Sequence, residues 1–266
     1  MIDCKTLNEG HIVSKVLLVF VLSALGHFTF GQQLEIALYK TKLNNEERTH
    51  ISESLRFQID FYNELFGDSI SGNIKARFFG RQSDFVGYSK DNVGINNAHS
   101  LAGYFNPRTD ELVVFKENGS DRFLSVYSHE LSHALLSKKV ARPPVWLNEG
   151  LAEFFGAIIF TSDGTSGRIS PFRVRDAYGV IKSKSNLKKF FDKSYEDWEK
   201  SRRNEYDIAW SIINFLYFKD VDMFVSIINW VAKEADSIRV LEKEYPGGYD
   251  QFHNDIKNYY RKLLNR

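Results

Sequence analysis

The run His129-Glu130-Leu131-Ser132-His133 places two imidazoles four residues apart, with a carboxylate directly after the first. On a helix, positions i and i+4 lie on one face about one turn apart, so both rings can converge on one metal ion. Glu130 then stands beside the first ligand, within reach of an attacking water, as a general base. A second acidic run follows, Trp146-Leu147-Asn148-Glu149-Gly150-Leu151-Ala152-Glu153. Catalytic zinc commonly takes two histidines and one glutamate and keeps a fourth position open, whereas a structural site is closed by four protein ligands. His129, His133 and Glu149 make three, and Glu130 is left over as a base. That count favours hydrolytic chemistry.

A His-Glu-x-x-His run arises by accident in about one chain per hundred of this composition, so the surrounding elements decide its meaning. Ser120-Asp121 is a suitable N-cap, and Phe123, Leu124, Tyr127, Leu131, Ala134 and Leu135 recur at helical spacing. The motif therefore falls mid-helix. Pro143 and Pro144 stop that helix and force a turn. A second helix is predicted from near Pro144 through Phe155 or beyond, since proline is tolerated in a first turn. Glu149 and Glu153 share one face of it. Two helices joined by a short turn pack antiparallel, which brings Glu149 against the histidine pair. Glu149 and Glu153 read either as a solvated face or as a buried pair that needs partners. The apolar residues around them, Val145 to Leu147 and Leu151 to Phe160, favour burial.

These motifs resemble the gluzincin branch of the zinc peptidases, a peptidase-MA-like group that includes the thermolysin-like and aminopeptidase-N-like families. The resemblance implies a Zn2+ cofactor, with Glu149 of the Asn-Glu-x-x-Ala-type pattern as third ligand. It also implies that Glu153, four residues on, holds a zinc-bound histidine from behind, as outer carboxylates do. The short interval from His133 to Glu149 is most similar to that of small exported members of the group. No third histidine of metzincin type follows the motif. The segment Tyr206-Asp207-Ile208-Ala209-Trp210-Ser211 resembles the aminopeptidase-N-like segment whose tyrosine stabilises the tetrahedral oxyanion. Tyr206 is thus the candidate donor, and a packing role is its alternative. In related enzymes an edge strand binds extended substrate by backbone pairing, which maps to Glu111 to Phe115 with Gly103-Tyr104-Phe105 before it. An ordinary sheet strand is the other reading. The Gly-x-Met-x-Asn pattern that grips a free N-terminus in aminopeptidases is absent.

Composition bounds the rest. The 266 residues suit one domain. A 43% hydrophobic and 26% charged make-up is that of an ordinary globular chain. A net charge of +1 gives no electrostatic case for nucleic acid as a partner. Lys200-Ser201-Arg202-Arg203 lies among acidic residues and reads as a solvated mixed surface. Lys15 and the apolar run Val16 to Leu25 fit a signal peptide, with Thr29-Phe30-Gly31 preceding cleavage before Gln32; an uncleaved anchor is the alternative. The one cysteine, Cys4, falls inside that segment, so the mature chain carries no thiol.

The expected organisation is residues 1–31 as signal peptide and 32–266 as a single domain. Within the latter, 32–120 form a sheet lobe, 121–160 the zinc helices and 161–266 a helical lobe. Asn44 to Phe66 is predicted as an amphipathic helix, and Asn73 to Phe79 and Glu111 to Phe115 as strands. Thr161 to Ser170 reads as a Gly/Ser/Thr loop. Later helices are expected at roughly Pro171 to Ser183, Leu187 to Phe191, Glu205 to Phe218, Val221 to Ala235 and Tyr249 to Leu264. Strands before helices means α+β segregation. The resemblance adds a zincin-like arrangement: a small N-terminal sheet with helices, an active-site helix pair and a C-terminal helical lobe. His99 lies in the loop before the strand, facing the cleft on one reading, while His50 and His253 are expected on polar helix faces; the favoured reading for all three is a surface or hydrogen-bonded role. The function expected is an exported, periplasmic or secreted, zinc-dependent hydrolase of peptide or protein substrates, with no membrane span after signal cleavage. The rival is a non-catalytic peptide- or protein-binding module on the same fold, its zinc structural or vestigial.

Overall fold

The computed structural model describes residues 34–117, 120–161, 164–167, 170–200, 202–234 and 236–265. The expected signal segment lies outside them. Strand β1 (Leu34–Tyr39) leads into α1 (Asn45–Phe66) and β2 (Ile74–Phe79), followed by α2 (Gln82–Val93), a 3-10 turn (Ala98–Ser100), β3 (Gly103–Asn106) and β4 (Glu111–Phe115). The order across the sheet is β1-β2-β4-β3, with β1, β2 and β4 parallel and β3 antiparallel to β4. The architecture is mixed α and β with the sheet ahead of most helices, as expected.

Strand β2 alternates as its sequence predicts. Ile74, Ala76 and Phe78 point to one face, where Phe78 meets Phe123 and Tyr127 edge-on at 5.0 and 5.9 Å. Those two rings belong to α3 (Ser120–Ser137), the helix that carries the histidine pair. The other face holds a smaller cluster of Phe79, Phe85, Ala98 and Val113 under α2. Because β4 pairs with β2 and β3 on its two sides, Glu111–Phe115 is an interior strand. The two edge strands are β1 and β3.

Helix α4 (Val145–Gly156) starts after Pro144, as predicted, and ends at Gly156. The apolar run beyond it leaves the helix and becomes β5 (Ile158–Thr161), paired antiparallel with β6 (Gly164–Gly167). The stretch expected to be a plain loop is thus largely a hairpin. The helical lobe comprises α5 (Pro171–Ile181), α6 (Lys184–Phe191), α7 (Tyr195–Lys200), α8 (Arg202–Lys219), α9 (Val221–Glu234), α10 (Ser237–Glu244) and α11 (Gly248–Leu264). Among the described residues no helix is long and apolar enough to cross a membrane.

Two contacts seat the helix pair. A Cβ at Gly150 would sit 2.8 Å from Ile213 Cγ1 and 2.9 Å from the Ala209 carbonyl, so only glycine lets α4 cross α8 this closely. On its far side α3 meets α1 through a buried polar seam. His50 Nε2 lies 3.0 Å from Ser128 Oγ, Ser54 Oγ 2.9 Å from the same hydroxyl, and Tyr62 Oη 2.7 Å from Ser132 Oγ. Gln58 donates to the Ser128 carbonyl. His50 and His253 are both buried and hydrogen-bonded, so neither lies at the surface.

Candidate metal centre

Helix α3 turns the seam serines toward α1 and His129 and His133 toward α4. The two imidazoles meet edge-on, and their Nε2 atoms stand 3.1 Å apart. From α4, Glu149 Oε2 reaches to 3.6 Å from each Nε2. A triangle of sides 3.1, 3.6 and 3.6 Å has a circumradius of about 2.0 Å. That is close to the bond lengths of roughly 2.0–2.2 Å that zinc makes to imidazole nitrogen and carboxylate oxygen. The donor set therefore fits a divalent ion, with three protein ligands and no fourth among the described residues.

The outer ring nitrogens are also engaged. His129 Nδ1 is 3.3 Å from Glu153 Oε1, and His133 Nδ1 is 3.1 Å from Asn148 Oδ1. Both oxygens accept, so each Nδ1 carries a hydrogen and each Nε2 faces inward; in the neutral rings that is the tautomer a metal requires. Asn148 also donates from Nδ2 to Glu149 Oε1 at 3.4 Å. Behind Glu153 stands Arg173 of α5, which donates to Glu153 through Nη2 and to Asp207 of α8 through Nε at 2.6 Å.

Charge in the site is tightly coupled. Burial alone would lower the His129 pKa, but the Glu149 and Glu153 carboxylates outweigh it and hold the ring well above its usual 6.5. Burial alone would raise Glu149 and Glu153; His129 and His133 pull Glu149 below the ordinary value, and His129 with Arg173 brings Glu153 to about 2. Glu130 behaves differently. Burial raises its pKa, against the pull of the two histidines and of the Phe105 backbone N–H. Two carboxylates held ionised and one pushed upward is the division expected between ligand-side groups and a proton carrier.

The structure thus brings together five of the six residues singled out from sequence: His129, Glu130, His133, Glu149 and Glu153. Tyr206, the sixth, packs edge-on against Trp198 at 5.4 Å and onto the core. Tyr195, at the start of α7, comes to the ligand side instead. It is half exposed and lies near the Asn148 side chain, and burial and the Glu149 charge push its pKa up to about 12. Sequence reasoning missed Tyr195, Asn148, Arg173 and Asp207. Asn148 was legible only as part of the Asn-Glu pattern, and the other three reach the site through tertiary packing that spacing does not encode. His99 is exposed on the 3-10 turn and lines a cavity with Arg122, Phe123 and Val126 of α3, ahead of the histidine pair.

Comparison with known families finds similarity to DUF1570, a protein family of unknown function, over residues 125–236. That stretch runs from the second turn of α3 to just past the end of α9 and contains His129, Glu130, His133, Glu149 and Glu153. No curated protein matches the chain.

Proposed function

We propose that the chain is an exported zinc-dependent peptidase of gluzincin type. The observation that supports this best is the triangle of His129 Nε2, His133 Nε2 and Glu149 Oε2, with both Nδ1 atoms anchored and Glu130 beside it. When bound there, zinc supplies an electrophile that polarises a carbonyl and lowers the pKa of water. The residues of the chain do the rest. Glu130 takes a proton from the water whose oxygen attacks the scissile carbon, then passes it to the amine nitrogen as the C–N bond breaks. Its upward-shifted pKa suits a group that must both accept and release that proton. Tyr195 and Tyr206 are the candidate donors to the oxyanion, and the influence of Glu149 on Tyr195 favours Tyr195. An extended peptide adds along the free side of β3, the edge strand next to β4.

The test is metal content followed by hydrolysis of a mixed peptide library by the wild type and Glu130→Gln. Glutamine keeps the size and an acceptor but cannot take the proton. Zinc should be retained in both, with hydrolysis falling by about 10²–10⁴-fold in the variant. A zinc-replete, folded Glu130→Gln protein with wild-type activity overturns the mechanism. Zinc uptake without any cleavage by wild type points to a binding module instead.

A further inference from the structure

Arg173 is the one cation that touches the carboxylate behind His129 in the described structure, and it is itself held on two further sides. Its Nη2 donates to Glu153 Oε2, and its Nε donates to Asp207 Oδ1 at 2.6 Å. Its guanidinium carbon lies 5.2 Å from the centroid of the Trp210 ring. Arg173, Glu153 and Asp207 each leave only about a fifth of the side chain exposed, at 20, 21 and 19%. A pair this sheltered is screened far less than a surface pair, and the planar fork fixes direction as well as distance. Asp207 and Trp210 lie one turn apart on α8, so they grip the guanidinium from one helix face. Glu153 Oε2 is thereby occupied, and Oε1 is the oxygen left for His129 Nδ1 at 3.3 Å.

We propose that Arg173 is a positioning residue: clamped by Asp207 and Trp210, it aims the Glu153 carboxylate at His129 and so sets the orientation of that imidazole and the affinity of the site for zinc. The inference rests on the zinc-site reading above and assigns α5 and α8, far along the chain from the histidine motif, a part in metal binding. A lysine cannot replace it fully, because one ammonium point lacks the fork that spans both carboxylates.

The experiment is competition for Zn2+ between the metal-free full-length protein and a chromophoric chelator. Wild type, Arg173→Gln, Arg173→Lys, Glu153→Gln and the Arg173→Gln/Glu153→Gln double variant are compared, with thermal unfolding of each metal-free form as a control. Outer-position changes at metal sites typically weaken binding about 10–100-fold. Glu153→Gln should fall in that range, Arg173→Gln by about tenfold and Arg173→Lys by less. The double variant should bind no more weakly than Glu153→Gln alone, because residues that act through one another are non-additive. Full additivity in the double variant, or wild-type affinity in a folded Arg173→Gln protein, overturns the proposal. Should Arg173→Gln fail to fold, Asp207→Asn removes only the far clamp and should still weaken zinc several-fold; unchanged affinity there overturns it equally. A wild-type protein that takes up no zinc overturns the metal-site reading itself, and the inference with it.

Discussion

His129 and His133 are held from behind by chemically different groups, a carboxylate on one and a neutral amide on the other. Against burial, Glu149 and Glu153 hold the His129 ring above its usual pKa, and the amide behind His133 also donates to Glu149, with Tyr195 near it. Pulling on that amide moves a ligand, a neighbouring ligand and a candidate donor together. Tyr195→Phe should therefore lower kcat by about 10²-fold with zinc retained, the usual worth of one oxyanion donor. Tyr206→Phe should change kcat by less than about tenfold, as loss of a packing contact does. Steady-state kinetics on both variants decides, and a larger kcat loss for Tyr206→Phe reverses the assignment. At this scale the legible residues were those that share a helix face: His129 with His133, and Glu149 with Glu153. Tyr195, Arg173 and Asp207 were not, because each is brought in by a helix crossing; one tyrosine among 13 carries no positional signal.

Helix α1 illustrates how an element can be predicted correctly and still be misjudged on one face. Its Asn44 cap and its capping box with Glu47 were written in the sequence, and Ile51, Phe61, Tyr62 and Leu65 are buried as their spacing requires. The same stripe also buries His50, Ser54 and Gln58, which hydropathy assigns to solvent. They are buried because α3 offers Ser128 to match them, a pairing visible only when the two helices meet. Phe160 N–H donates to His50 Nδ1, so Nε2–H donates to Ser128 and the ring is neutral. Burial lowers its pKa to about 4. The unfolded chain takes up this proton below about 6.5, while the folded chain resists until about 4. Stability from His50 is thus complete above 6.5 and is lost as pH falls through that window, by about 3 kcal/mol in all. Urea unfolding at pH 7 and pH 4 should show that drop in wild type and a clearly smaller one in His50→Gln; equal drops refute the role. Other elements escaped prediction for local reasons. Strand β1 has no clean alternation, α2 carries few apolar residues, and α7 and α10 are only six and eight residues long.

At the scale of the whole molecule, the match to residues 125–236 contains the ligands but not the surfaces that hold them. Phe123, Tyr127 and Leu131 bury one side of α3 against the sheet and α1, and α5 is backed by α11 through the His253 bond to the Ile181 carbonyl. The Trp146 indole of α4 reaches Ser237 of α10, just past the matched stretch. A fragment of residues 125–236 would expose both sides of that core. We expect it to show no cooperative thermal transition, whereas the full chain should; a sharp calorimetric transition in the fragment contradicts this. That most strands precede most helices was readable from periodicity along the chain. The parallel pairing of β1, β2 and β4 was not, since strand direction depends on which helices cross which face.

Strand β3 leaves one side of the sheet open, and open sheet edges invite copies of the same protein to pair and aggregate. Here the acidic side chain of Glu130 lies close enough to the Phe105 N–H, one of the donors such a neighbour would use, for that N–H to lower its pKa. The group proposed as the base is also a guard on the sheet. Glu130→Ala should therefore lose more than turnover: sedimentation velocity at rising concentration should reveal self-association that the wild type does not show, and identical profiles would separate catalysis from colloidal stability.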